Sequence, residues 1–460
     1  MNAGRINILF IFFILGMSQS LQSSEFLGHS DQNLSDFIAS GAVKEKKHIF
    51  GTVTCKDDFY YKLKGRVALQ SLYDSRQFRG NYQDYYLIIP LPADCSKCCL
   101  DINDKSQYTM IGFEAYFGGK AYGPKVWNAK TYAELEAKFT GVGDSTVRLF
   151  RLNKGDVRFH WERSKLMLGH YYHPIGRYKL LNGVKFFPYT LVSSYGAGFD
   201  PFTYVPQVRF VHCINNIEYA FALTKHYRSE AARLAVMPDM FFQISGLIRD
   251  SHVLGAGINY HVEIPRLVTD KDYKTTEQIG SITAYALASL KFRPFVLNTR
   301  VVYAENGDIF NLIGSYAVGR RIPATDERFL VNLRTLNYWF DFTYERKKSE
   351  LSLFIGYSKN LGARCRIVKS YKDEYDNDIP LLDVPGAITD VDHLLIAAPR
   401  VRVHWGPLEI GAGIEYFRAA YAKRRFDEKD WEKDYDCRGR VINTCPVNNM
   451  RFIAVTRYFF

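Results

Sequence analysis

Apolar and polar residues alternate with a period of two along most of this chain, in segments of about ten residues. From Lys62 to Asp74, Leu63, Val67, Leu69 and Tyr73 share one face, and Lys62, Lys64, Arg66, Gln70 and Asp74 share the other. Leu336, Tyr338, Phe340, Phe342 and Tyr344 oppose Asn337, Asp341, Thr343 and Glu345. Phe295, Leu297, Thr299, Val301 and Tyr303 oppose Asn298 and Arg300, and Leu408, Ile410, Ala412, Ile414 and Tyr416 oppose Glu409, Gly411, Gly413 and Glu415. On a helix these residues would scatter charge around the whole cylinder; on a strand each face is uniform. The chain ends in the same way, with Phe452, Ala454, Thr456, Tyr458 and Phe460 on one face and Arg451 and Arg457 on the other.

The pattern predicts about sixteen strands, near 62–74, 107–117, 130–140, 146–160, 164–172, 206–214, 217–225 and 237–248, then 252–263, 279–291, 295–304, 336–346, 350–358, 394–405, 408–417 and 450–460. Alternate links are short and rich in turn residues: Asn215-Asn216, Arg249-Asp250-Ser251, Arg293-Pro294, Lys347-Lys348-Ser349 and Gly406-Pro407. The other links include long ones at 75–106, 173–205, 305–335, 359–393 and 418–449. An even strand count with this parity predicts an all-β fold, a transmembrane antiparallel β-barrel with long extracellular loops and short periplasmic turns. An antiparallel sandwich would also alternate. Tyr73, Tyr303, Tyr344, Tyr357, Trp405, Tyr416 and Tyr458 fall near the expected strand ends. An apolar ring with a polar tip suits the headgroup level there, which favours the membrane.

The N-terminus fits the same compartment. Arg5 precedes the apolar run Ile6 to Met17, followed by Ser18-Gln19-Ser20, so residues 1–20 are expected to be a secretory signal. Residues 21–59 form a polar leader in the periplasm, with Leu27, Leu34, Phe37 and Ile38 at a modest helical spacing, and 60–460 form the barrel. No later apolar run reaches the about 18 residues that a helical span needs. The expected location is the outer membrane of a Gram-negative cell. Aromatic residues make up 15% of the chain, a high load that interfacial girdles would explain.

The stretch 165–210 carries Leu168, Gly169, His173, Pro174, Pro201, Phe202, Pro206, Gln207, Val208 and Arg209 in an order that resembles a bacterial outer-membrane porin family, the DcaP-like trimeric porins. Further matches are Tyr73-Asp74-Ser75-Arg76 and Gly356-Tyr357-Ser358-Lys359-Asn360-Leu361-Gly362. The matches are short but spread over most of residues 60–460. His170 stands where the family pattern has Gln, and eight cysteines are unusual for a porin. The resemblance implies passive diffusion of small polar, often anionic, solutes, a homotrimer in outer-membrane lipid, and no cofactor. The terminal Phe460 would then address the chain to the barrel assembly machinery.

General porins fold their third outer loop into the lumen. Here that loop is 173–205, so Arg177, Lys179, Lys185 and Asp200 are candidate constriction charges, which would set ion preference. Lumen-facing positions are expected at Arg66, Arg209, Arg300, Arg400, Arg402, Arg451 and Arg457, and at Glu134, Glu136, Glu218, Glu263, Asp341, Glu345, Glu409 and Glu415. Many of these would pair across strands and stiffen the wall. A net charge of +12 leans weakly towards anions.

An exported chain meets oxidising conditions, so Cys437 and Cys445, which share the last long loop, are the expected disulfide. Cys95-x-x-Cys98 lacks a second ligand pair for zinc, so no metal is expected. His160, His170 and His173 cluster without any catalytic motif, which argues against an enzyme. Export argues against nucleic acid as the partner of the basic charge. The rival reading is a barrel acting mainly as an adhesin or receptor through its long loops.

Overall fold

The computed structural model of the chain describes residues 52–55, 59–79, 89–94, 100–111, 115–139, 150–176, 178–179, 185–186, 198–226, 229–249, 251–372, 378–380, 389–424 and 430–460. The expected signal at 1–20 and most of the leader at 21–59 lie outside the described residues.

Sixteen antiparallel strands form one closed ring. Strand β1 is Phe59–Asp74, and β2 runs as Gln107–Ile111 and then Ala115–Val126, both parts paired with β1. Strands β3 to β8 are Ala129–Phe139, Phe150–His160, Ser164–Tyr172, Tyr204–Ile214, Ile217–Thr224 and Asp239–Ile248. Strands β9 to β16 are His252–Glu263, Ile279–Phe292, Phe295–Glu305, Arg334–Glu345, Ser349–Gly362, Val391–Trp405, Leu408–Ala422 and Thr444–Phe459. Each pairs with the next, and β16 closes on β1 from Arg66↔Phe459 to Asp74↔Arg451. Closure removes the open edges whose unpaired N–H and C=O groups hydrocarbon would not tolerate. Beyond this register Gly65 and Phe460 exchange both backbone hydrogen bonds, at 2.6 and 3.0 Å. Past them Thr52–Cys55 pairs with Phe59–Lys62 of β1, so residues 52–55 extend the sheet.

At one end of the ring the links are tight. Trp127-Asn128 joins β2 to β3 with positive φ at both residues, 48° and 60°, the geometry of a hairpin turn whose twist matches its strands. Asn215-Asn216, Arg293-Pro294 and Gly406-Pro407 join later pairs in two residues each. At the other end, the β11–β12 link carries its own hairpin, Tyr316–Ile322 with Glu327–Asn332. The β7–β8 link holds a short helix, Glu230–Leu234, capped by the Ser229 side chain on the Ala232 N–H.

Burial inverts the usual order of a soluble protein. Leu69, Phe210, Phe242, Phe340, Val401 and Phe452 are exposed, and Asp74, Arg209, Gln243, Asp341, Arg400 and Arg451, on the opposite face of the same strands, are buried. An apolar belt of this kind is a lipid-facing surface. No helix among the described residues is long and apolar enough to cross a membrane, so the crossing is made by strands.

Candidate pore and its lining

Two halves of the lumen differ. Along β6 to β16, inward-facing apolar residues including Val211, Phe241, Leu287, Val302, Phe354, Ile396 and Phe417 form one buried cluster with Phe78, Ile89, Ile175, Phe199, Phe310 and Leu312. These last six belong to the β1–β2, β5–β6 and β11–β12 links, which therefore fold into the barrel. Each such side chain contributes roughly 1.5–3 kcal/mol when fully buried, enough collectively to hold the links against the wall.

Polar anchors fix where the links sit. Arg300 on β11, 1% exposed, donates to Asp200 Oδ1 at 3.0 Å, to the Gly176 carbonyl at 3.3 Å and to the Ile175 carbonyl. Its guanidinium lies 4.0 Å from the Tyr285 ring centroid. The Trp339 indole N–H donates to the same Asp200 oxygen at 2.9 Å. One arginine thus holds both ends of the β5–β6 link. Phe199 fills the space over Gly356, where an added Cβ would stand 2.9 Å from the Phe199 ring. In the β1–β2 link, Arg76 donates to the Leu91 and Pro92 carbonyls at 2.8 and 3.0 Å and pairs with Asp101 at 2.7 Å. Burial alone would raise the Asp101 carboxyl; the Asp94 and Asn103 N–H groups and Arg76 outweigh it and hold it below the usual carboxylate range. Tyr421 on β15 donates to the Pro90 carbonyl at 2.6 Å.

The wall of β1 to β4 is different. Lys64 pairs with Glu134 at 2.7 Å and Glu136 at 3.0 Å, Lys154 with Glu136 at 3.0 Å, and Arg158 with Asp156 at 2.5 Å and Glu134 at 3.3 Å. Lys120 stands 3.9 Å from Glu134. Tyrosines interleave with these charges. Arg66 lies over Tyr116 at 4.7 Å, Arg158 over Tyr171 at 4.6 Å and Lys120 over Tyr132 at 5.3 Å. The Lys64 and Lys120 side chains are 35% and 29% exposed, whereas Arg451 and Asp74 on the filled side are at 0%. Solvent therefore reaches Lys64 and Lys120, while Lys154 and Arg158 sit deeper in the wall. Five cations here, Lys64, Arg66, Lys120, Lys154 and Arg158, meet three carboxylates, Glu134, Glu136 and Asp156.

The remaining wall arginines sit in paired sites. Arg400 donates both of its contacts to Asp341, at 2.6 and 2.8 Å. Arg402 and Arg457 share Glu409, at 3.4 and 2.6 Å, and Arg402 also meets Glu350. Arg451 pairs with Asp74 at 2.7 Å. Arg209 donates to Gln207 and to the Tyr172 carbonyl, at 2.9 and 2.8 Å.

Of the four constriction candidates, Arg177 lies outside the described residues. Lys179 and Lys185 face each other in a small hairpin within the β5–β6 link, with only their backbone described. Asp200 is buried in the anchor with Arg300 and Trp339, so it secures the link. Cys437 and Cys445, the expected disulfide pair, are not bonded to each other in the structure. Cys445 is already in β16, registered with Tyr421, while the Cys437 carbonyl takes the Ile367 N–H at 2.9 Å and ties that residue to a different link. Lys64, Lys120, Lys154 and Arg158 were missed as site residues. The even spacing of Lys154, Asp156 and Arg158 marks one strand face, but a register shift near Glu136/Ala137 breaks the parity from which the face would be read.

A closed ring of sixteen strands, apolar outside and charged within, has the architecture of a transmembrane β-barrel. No protein-family model and no curated protein matches this chain. Among solved structures it is similar to the outer membrane channel DcaP of Acinetobacter baumannii, at 12% identity and a TM-score of 0.62, covering 89% of this chain and 99% of that one. It is also similar to the anion-selective porin from Comamonas acidovorans, at 10% identity and a TM-score of 0.52, covering 87% of this chain and 100% of that one. At these identities the likeness is one of fold.

Proposed function

We propose that this chain is a passive diffusion pore for small polar solutes, weakly favouring anions, and not an enzyme. The observation that carries this reading is the asymmetry of the lumen: among the described residues, three links fill one side, and on the other stands a wall of lysines, arginines and tyrosines in which Lys64 and Lys120 meet solvent. A solute passing between them meets Lys64 and Lys120, with Lys154 and Arg158 deeper behind them, and the four positive charges exceed the three of Glu134, Glu136 and Asp156. Local field, more than net charge, sets ion preference at such a narrowing. In this reading the long links face outward, the tight turns face the periplasm, and three copies assemble in outer-membrane lipid, as in the porins the sequence resembles. The C-terminal strand, ending in Phe460, would be the segment offered to the assembly machinery.

Reversal potential across a bilayer under a salt gradient tests the preference. The wild type is expected to pass anions more readily than cations, and the Lys64→Glu/Lys154→Glu double variant to lose or invert that preference. Cation preference in the wild type would overturn the anion reading.

A further inference from the structure

At the link end of the barrel, several buried groups converge that the pore does not use. His173 follows β5, His226 follows β7 and Asp239 opens β8, at 0%, 2% and 3% exposure. One ligand-type atom of each lies within 4.8 Å of the other two. His226 Nε2 is 3.2 Å from Asp239 Oδ2, and His173 Nε2 is 3.1 Å from Thr224 Oγ1, which is itself 3.4 Å from that Asp239 oxygen. The two imidazoles stack 5.4 Å apart, and Phe310 covers both, at 5.1 and 5.4 Å. A second observation concerns His261 on β9. It is fully buried against Phe310, at 5.7 Å, with neither ring nitrogen in a hydrogen bond.

We propose that His173, His226 and Asp239 bind one divalent transition-metal ion of the zinc, cobalt, nickel or copper kind. Two imidazoles and one carboxylate are the donor set such borderline metals prefer, whereas calcium and magnesium call for more oxygen ligands. Metal–nitrogen bonds of about 2.0–2.1 Å require the 4.8 Å spread to contract, and the Thr224 hydroxyl stands beside the gap. The ion would join the root of the β5–β6 link to the ends of β7 and β8. Occupancy also has a consequence at that root. His173 Nδ1 accepts the Ile175 N–H at 3.1 Å, which leaves the proton of a neutral ring on Nε2. Metal on Nε2 moves that proton to Nδ1 and removes the Ile175 bond, next to the carbonyl that Arg300 holds. The competing reading is a metal-free hydrogen-bonded chain through Thr224.

The test uses the full chain, folded in detergent, without a histidine tag and stripped with chelator. Titration with cobalt(II) is expected to give one retained ion per chain after desalting, with an absorption spectrum of nitrogen-ligated low-coordinate cobalt. His226→Ala and Asp239→Asn are each expected to weaken binding by at least the about 10–100-fold that loss of an outer-shell partner costs, and His252→Gln, at the opposite end of the barrel, to leave it unchanged. Heat-modifiable migration checks that each variant is folded. Should a variant fail to fold, copper(II) resonance on the wild type decides, because two imidazole ligands give nitrogen couplings. No retained ion in the wild type, equal binding in His226→Ala, or a copper spectrum without nitrogen couplings would overturn the proposal.

Discussion

Arg300 ties both ends of the β5–β6 link to the wall with one side chain. It is charged, 1% exposed and surrounded by acceptors from a loop a hundred or more positions earlier in sequence, with Asp200 at 100 and Gly176 at 124 residues before it. Breaking a buried pair by removing one partner leaves the other charge uncompensated, at a cost of about 3–5 kcal/mol. Arg300→Ala is therefore expected to detach the root of the β5–β6 link and give larger, noisier conductance steps, while the folded barrel persists. Steps of unchanged size and noise would show that the link is held by its apolar contacts alone. Arg300 was legible in the sequence as an inward residue because Leu297, Val301 and Tyr303 mark the opposite face. Its partner was not: the 173–205 loop was expected inside the lumen with Asp200 as a constriction charge, but nothing in a loop sequence says that Asp200 meets Arg300 and Trp339 on the wall.

At the scale of elements, the strands were legible wherever lipid imposes alternation, since both faces of each strand are then specified. Strand β2 shows the limit. The run Gly118-Gly119-Lys120-Ala121-Tyr122-Gly123-Pro124 dilutes the pattern, so the expected strand stopped near 117, yet pairing with β1 and β3 carries it to Val126. Links carry no such periodicity, and their contacts were invisible. One of them joins the β9–β10 and β11–β12 links: Asp326 is met by Arg321 at 2.5 Å, Arg266 at 2.9 Å and Arg328 at 3.1 Å, with Glu277 on Arg266 at 2.8 Å. Burial alone would raise the Asp326 carboxyl, but the guanidiniums outweigh it and hold it below the usual carboxylate range. A carboxylate lowered in the folded state contributes stability above its unfolded value, near about 3.9, and loses it only as pH falls through the lower folded value. The clasp should therefore keep its full contribution from neutrality down to about pH 4 and lose it progressively as pH falls further towards the lower folded value. Asp326→Asn is expected to loosen it at neutral pH, which trypsin would report by cleavage at Arg320, Arg321 or Arg328. Equal resistance of variant and wild type would remove the clasp from the account.

The whole molecule is a cylinder whose wall was foreseen, and whose filling was foreseen only for the 173–205 loop and not for the β1–β2 and β11–β12 links. Period-two faces, the turn parity and the closing strand at 450–460 specify a closed membrane barrel, and the structure has all sixteen strands in that order. The division of the lumen into a packed side and a solvated, cationic side depends on contacts between segments hundreds of residues apart, such as Phe78 on Phe417 and Tyr421 on Pro90. The central claim is that a water-filled path survives beside that packing. Single-channel recording of the full chain, folded and inserted in a planar bilayer, tests it most directly. The account predicts discrete, ohmic conductance steps in simple salt. Folded, heat-modifiable protein that inserts and yet conducts no ions would contradict it.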